Sequence, residues 1–263
     1  MAWHNIVSPE NWSKVLEAAQ TCLTLDKNNS EGLQGLGFYK FWFEWKFSEG
    51  EVVFKKAIDL NPNDADSLSS YAMLLAICGR NREAETNANK AIQLDPLSIV
   101  VRYLTGWTFF LTDDFSRMYE QGLKIMELDS GSALGYGLVA YHSWLNSDYE
   151  EAIRILESVP VKNVPLIYAW LGCLYGITGQ HEKALDVIEK LNELSNHQYV
   201  GAYNSGLIYL GMERYDEAFK WFNSGIDQHD GVLFFLKQKF KVLPGLKKDL
   251  RMDEIIAKLG LPD

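Results

Sequence analysis

Cysteine is nearly absent from this chain of 263 residues, which has three, at positions 22, 78 and 173. An odd number of widely spaced cysteines excludes a disulfide framework, and without Cys-x-x-Cys or Cys–His pairing there is no thiolate metal site to read. The expected setting is reduced and cytoplasmic, each thiol acting as a small buried hydrophobe. Histidine is as thin: the five, at 4, 142, 181, 197 and 229, include no His-x-x-x-His pair. No Gly-rich phosphate loop and no Gly-x-Ser-x-Gly elbow appears. Acidic pairs such as Asp113 with Asp114 and Glu150 with Glu151 fall at turns and helix starts, where negative charge favours the helix dipole. These gaps predict no catalytic residues, no metal and no cofactor, hence a non-enzymatic protein.

Cations are outnumbered, 25 Lys and Arg against 35 Asp and Glu, for a net charge of −10. That balance argues against direct nucleic-acid binding by this region, because such affinity comes mostly from Lys and Arg on phosphates. The deficit is uneven: residues 231–263 hold seven basic and four acidic side chains, against 18 and 31 in the rest. The basic end is read as a solvated face. With only seven prolines and no segment of alternating β-branched residues, sheet is excluded and continuous helix favoured. The longest apolar run, residues 164–177, contains Pro165 and two glycines, so it fits a buried helix better than a membrane span. No basic-then-apolar leader follows Met1. Neither export nor membrane insertion is expected.

Periodicity fills this space. Residues 65–96, ADSLSSYAMLLAICGRNREAETNANKAIQLDP, read as one antiparallel helical hairpin. Asp64 can cap its first helix, in which Leu68, Tyr71, Ala72, Leu74 and Leu75 recur at three- and four-residue steps, and Gly79 opens the turn. The second helix carries Ala84, Ala88, Ala91, Ile92 and Leu94 on one face and stops at Asp95-Pro96, where the residue before proline leaves the helical region. The residues that take the place of Ala84, where the two helices cross, are Gly50, Ala84, Met118, Ala152, Ala184 and Ala218. Successive steps of 34, 34, 34, 32 and 34 residues mark a stacked helical repeat.

Tyr168, Leu171, Gly172 and Tyr175, followed by Gly179, Ala184 and Ile188, resemble the tetratricopeptide repeat, whose pattern runs aromatic, x2, Leu-Gly, x2, Tyr, then Ala, x3, aromatic and finally Pro. Elsewhere the chain departs from it. Phe38 stands where Gly172 stands, Met118 replaces the small residue, and two units end at Ser130 and Pro160 without the Asp-Pro stop. The resemblance implies an all-α, right-handed superhelical solenoid of antiparallel hairpins: about six full repeats, an N-terminal partial repeat and a C-terminal cap helix. Residues 1–230 are expected to form the solenoid and 231–263 its capping segment. A narrower resemblance rests on residues 41–50 (FWFEWKFSEG), 54–62 (FKKAIDLNP) and 91–98 (AIQLDPLS), and on the tail from 234–237 to 255–262. These are similar to the repeat region of bacterial multidomain signalling proteins, which carry winged-helix, nucleotide cyclase or Ser/Thr kinase domains. It implies a fragment of a larger signalling or transcription-regulating protein.

In chain order, Ser8-Pro9-Glu10 opens a helix reaching about Leu25. Helices follow near 31–45, 48–60, 65–78, 81–94, 99–111, 115–128, 133–145, 149–158, 165–178, 181–194, 199–211, 215–227 and 250–259. Second helices are expected to open at capping boxes such as Ser48 with Glu51 and Ser147 with Glu150.

Eight Trp, thirteen Tyr and thirteen Phe must be packed or used for binding. In hairpin stacks of this kind the first helices line the concave side. Residues there that do not face their own second helix include Tyr39, Trp42, Met73, Tyr103, Trp107, Phe110, Tyr141, Trp144 and Tyr203. The predicted inner surface is aromatic, and it lacks the Lys, Arg and Asn of a carboxylate clamp. Two readings stand: an open groove for a protein or peptide partner or an effector domain of the same parent chain, and a stripe that packs on neighbouring repeats. The first makes this a protein-interaction or regulatory domain. A variant of it is a sensory domain that binds a small apolar or aromatic ligand in the groove. Trp107 and Trp144 lead the expected contacts, because Trp is enriched among binding hot spots. His142, mid-helix beside Tyr141, is expected to be an enclosed core histidine.

Overall fold

The computed structural model describes residues 8–241, 243 and 249–261. The N-terminal stretch 1–7, expected as the remnant of a first helix, lies outside the described residues, as do 242, 244–248 and 262–263 of the expected capping segment. The fold is an all-α repeat solenoid, and the described residues divide into two compact units, residues 9–130 with 260–261 and residues 131–259 with residue 8.

The first unit opens with α1 (Pro9–Leu25). Three hairpins follow: α2 (Ser30–Phe38), continued by a π-helical turn (Tyr39–Phe43), with α3 (Phe47–Leu60); α4 (Ala65–Ile77) with α5 (Asn81–Leu94); and α6 (Ile99–Leu111) with α7 (Phe115–Leu128). The second unit holds α8 (Ala133–Leu145) with α9 (Tyr149–Glu157), α10 (Pro165–Ile177) with α11 (His181–Ser195), and α12 (Ala202–Gly211) with α13 (Tyr215–Asp227). A 3₁₀ stretch (Leu233–Lys241) and α14 (Leu250–Lys258) complete it. All six crossing residues, Gly50, Ala84, Met118, Ala152, Ala184 and Ala218, are buried. The 32-residue step arises because α9 has nine residues where α3, α5 and α7 have fourteen.

Each first helix closes the same way. Trp45, Gly79, Asp113, Ser147, Gly179 and Glu213 all have φ between 53° and 76°, each five residues before a crossing residue. A left-handed residue here reverses the chain, and the amide after it reaches back to a carbonyl five residues earlier: Arg80 to Leu75 (2.9 Å), Asp114 to Phe109 (2.8 Å), Gln180 to Tyr175 (2.8 Å). Only two of the six positions are glycine.

The first hairpin breaks the pattern by one residue. Its closing amide, Lys46, reaches six residues back to the Lys40 carbonyl (2.9 Å), and the Glu44 amide reaches five back to Tyr39 (3.1 Å). Cap to left-handed residue is 16 positions here, Asn29 to Trp45, against 15 from Asp64 to Gly79, Ser98 to Asp113 and Ser132 to Ser147. The π turn absorbs the extra residue, so the continuous helix expected over 31–45 is interrupted at Tyr39. It also corrects the apparent substitution of Phe38 for glycine. Eight residues from its cap, as Gly172 is from Val164, stands Gly37, and a Cβ on Gly37 would come within 2.9 Å of the Phe54 ring.

Two expected capping boxes do not form. α3 begins at Phe47, with Ser48 inside its first turn, and the Glu51 carboxylate is taken by Lys55 (2.7 Å), by Arg80 and by the Tyr71 hydroxyl (3.2 Å). The hydrogen bond from Lys55, with help from Arg80, overrides partial burial and holds that carboxyl at about 2. Ser147 is the left-handed residue, so Asp148 caps α9 instead, accepting from the Glu151 amide at 3.2 Å. The Asp64 cap does form, accepting from the Asp66 amide at 3.1 Å. Helix α12 starts at Ala202, three residues later than expected.

Candidate interaction groove

The first helices carry the aromatic stripe, and burial sorts its members. In the first unit Met73 and Phe110 are wholly enclosed, Trp107 is 5% and Trp42 7% exposed, while Tyr39 and Tyr103 are half-buried. On α6, Tyr103 meets Trp107 edge to face at 6.1 Å, and Trp107 meets Phe110 the same way at 5.5 Å. Positions i, i+4 and i+7 of one helix lie in line, so the three rings form one stacked column. Burial pushes the Tyr103 phenol up to about 12, opposed by a hydrogen bond with Trp107.

The π turn builds the other half-exposed position. It places Tyr39 against Phe43 at 5.2 Å, with Phe43 on Trp12 of α1 at 6.3 Å. Phe41 meets Trp42 at 5.2 Å and Phe47 at 6.0 Å. An ion cluster brackets the turn: Lys40 joins Glu44 at 2.7 Å and Glu49 at 2.9 Å, and Lys46 joins Glu44 at 3.3 Å.

In the second unit Tyr141, Trp144 and Tyr203 are each 2% exposed. Tyr141 stacks with Trp144 at 5.3 Å on α8 and with Trp170 of α10 at 5.9 Å. Desolvation raises the Tyr141 phenol above its ordinary range. Trp170, absent from the stripe expected from sequence, points at the preceding hairpin. The signal for it was Gly137, a mid-helix glycine where a Cβ would lie 2.6 Å from the Trp170 ring. Tyr203 packs on Phe222 of its own hairpin at 6.4 Å.

Seven of the nine stripe residues are thus enclosed by neighbouring helices, and two, Tyr39 and Tyr103, keep part of their surface. Half-buried aliphatic neighbours in the stripe are Ile77, Val100, Leu134 and Leu166. His142 is half-buried rather than enclosed; burial lowers its pKa, and Asn146 lies 3.4 Å from its ring. Among the described residues no three His, Cys, Asp or Glu side chains gather as a metal site. Nor is any of their helices long and apolar enough to cross a membrane.

Stacked hairpins with left-handed closures and buried crossing residues define a helical-repeat scaffold. Family models described as tetratricopeptide repeat match residues 53–86, 166–198 and 201–227. A tetratricopeptide repeat protein from Parabacteroides merdae superposes with a TM-score of 0.59 over 97% of this chain and 94% of its own, at 17% identity. The fold is therefore that of a tetratricopeptide-repeat solenoid. Among curated proteins, the chain is similar to anaphase-promoting complex subunit 3 of Schizosaccharomyces pombe, 21% identical over 201 residues. That match covers 75% of this chain and 30% of the relative. It is also similar to the formate-dependent nitrite reductase complex subunit NrfG of Escherichia coli O157:H7, 26% identical over 130 residues, 48% of this chain and 65% of the relative. The chain spans less than two thirds of the length of either.

Proposed function

We propose that this chain is a non-enzymatic scaffold that binds a protein partner through the first-helix surface of its repeats. The observation that carries the reading is Tyr103. A large aromatic side chain held edge to face on a nearly buried Trp107, yet itself partly exposed, is a pre-ordered contact that loses little entropy on binding. Tyr39, set by the π turn, is a second one. Within the same unit Trp42, Met73, Trp107 and Phe110 form the packed wall that keeps such contacts rigid; Tyr141, Trp144 and Tyr203 are packed in the second unit. Two of the curated relatives are by name subunits of larger complexes, which supports a partner-binding role. The sequences at 41–50 and 91–98 support placement within a larger bacterial signalling protein, whose effector domain is then a candidate partner, and the charge of −10 favours protein over nucleic acid.

The test is selection of peptides from a displayed library on the full chain, followed by titration against Tyr103→Ala and Tyr39→Ala. Selected peptides are expected to change tryptophan emission saturably and to bind Tyr103→Ala about tenfold or more weakly. Peptides that bind both variants as tightly as the parent would overturn the reading. Saturable emission changes with small aromatic compounds alone would turn it toward a sensory domain.

A further inference from the structure

Six residues before its left-handed closure, each first helix carries one stripe position: Tyr39, Met73, Trp107, Tyr141, Cys173 and Leu207. Five of these are packed, Met73, Cys173 and Leu207 with no exposed surface, Tyr141 with 2% and Trp107 with 5%. The sixth, Tyr39, is half-buried. Nine residues after the cap the same positions return in four hairpins: Met73 from Asp64, Trp107 from Ser98, Tyr141 from Ser132 and Cys173 from Val164. In the first hairpin that count, from Asn29, falls on Phe38. Two residues thus contend for a place that one fills elsewhere.

Packing on either side leaves the surplus residue one way out. On the cap side Gly37 holds the α2 register, because a Cβ there would come within 2.9 Å of the Phe54 ring. Phe38 follows it and meets Phe54 edge to face at 5.8 Å. On the closure side Phe41 is wholly enclosed and packs on Phe47 at 6.0 Å. Between them Lys40 is tied to Glu44 at 2.7 Å and to Glu49 at 2.9 Å. Tyr39 is left to stack on Phe43 at 5.2 Å, and Phe43 on Trp12 of α1 at 6.3 Å. Helices α4 and α6 of the same unit close with 15 residues from cap to left-handed residue, so the hairpin architecture does not require a sixteenth. Single π turns of this kind are rare and concentrate at functional sites.

We infer that the extra residue of the first hairpin is a presenting device: with Phe38 in the packed place, Tyr39 is expelled and becomes a specificity-determining contact, which rests on the partner-binding reading above. Register, not residue type, decides exposure here, since the aromatic residues at the same place in α6 and α8, Trp107 and Tyr141, are covered. A partner that contacts Tyr39 therefore tells the first hairpin from repeats of the same pattern.

Deleting Phe38 brings the two counts together on Tyr39, which then takes the packed place. The shortened chain should keep a cooperative melt. Nitration of Tyr39 by tetranitromethane, located by peptide mass mapping, should fall to the level of the buried Tyr141. Peptides selected on the full chain should bind it about tenfold or more weakly, as they bind Tyr39→Ala. Should that chain fail to fold, deletion of Lys40 restores the same count by packing Phe38 and moving Tyr39 to the place of Leu74 and Thr108, which have no exposed surface. It should show the same two losses. Undiminished nitration of Tyr39 in a folded deletion chain, or peptide binding equal to the parent's, overturns the proposal. So does loss of the melt in both deletions, which would make the extra residue a requirement of the fold. Tyr39→Ala bound as tightly as the parent also overturns it; the partner-binding reading survives that result if Tyr103→Ala is weakened and falls with it if not.

Discussion

The Asp230 carboxylate accepts a hydrogen bond from the Tyr203 backbone amide at 2.9 Å, across 27 residues of chain. It thereby caps α12, whose own cap residue, Gly201, has no side chain to do so. The Val232 amide also donates to it, so one carboxylate ties the start of the last hairpin to the turn that leaves it. Gly201 makes room: a Cβ there would stand 2.4 Å from Oδ2 of Asp230. Gly201→Ala should therefore displace the cap and cost about 1–3 kcal/mol in urea unfolding.

The same carboxylate sets a pH dependence. Burial pushes Asp230 up to about 6, against the lowering effect of its two amide donors. Its folded pKa then exceeds the unfolded value, so between pH 4 and 6 the native state binds the extra proton, and stability falls as pH rises through that window. Asp230→Asn removes this titration. The stability of the parent relative to Asp230→Asn should fall by about 1–1.5 kcal/mol between roughly pH 5 and 7.5. A constant difference across that range in paired urea titrations would show that Asp230 is ionised throughout.

Helices α10 and α12 approach each other through small residues. A Cβ on Gly211 would lie 2.3 Å from the Cys173 carbonyl oxygen, and one on Gly176 would lie 2.6 Å from the Gly211 carbonyl carbon. Backbone atoms cannot rotate away as a side chain does. Gly211→Ala should cost about 1–3 kcal/mol or more. Gly35→Ala, which meets only the Ala19 methyl at 3.3 Å, should cost less. Equal midpoints for the two variants would contradict this packing.

The left-handed closures offer a graded series. A non-glycine residue with φ near 60° is strained by roughly 1–2 kcal/mol, part of which glycine gives back through its freer unfolded chain. Ser147→Gly and Glu213→Gly should each raise stability by about 0.5–1 kcal/mol. Gly179→Ala should lower it by about 1 kcal/mol through the backbone alone, since nothing lies within 4 Å of the added methyl. Thermal melts of the three variants decide it.

Ala184 has no exposed surface where α11 crosses α10. Ala184→Leu should overpack that crossing and cost about 1–3 kcal/mol. A variant as stable as the parent in urea would mean that the side chain has room the structure does not show.

Much of this architecture could be read without coordinates, because it is local. Crossing residues recur at the repeat step, Asp64 and Pro96 bracket a hairpin, and apolar residues fall at helical spacing, so the helices lie close to their expected bounds. The extra residue of the first hairpin was hidden, since a π turn keeps the apolar pattern on both sides and shows only as a misplaced glycine, Gly37 read as Phe38. Burial of the stripe was also beyond the pattern. Repeat register gives Met73, Trp107 and Tyr141 the same position in their own helices, nine residues after the cap, but only the packing of neighbouring helices decides that these are covered while Tyr39 and Tyr103 keep surface.

Sequence by itself thus determined the repeat, the helices and their polarity, through hydrogen bonding and side-chain shape within a dozen residues. Tertiary structure decided which aromatics remain accessible and that Asp230 caps a helix 27 residues away. Those outcomes depend on which distant surfaces meet, and no local spacing encodes that.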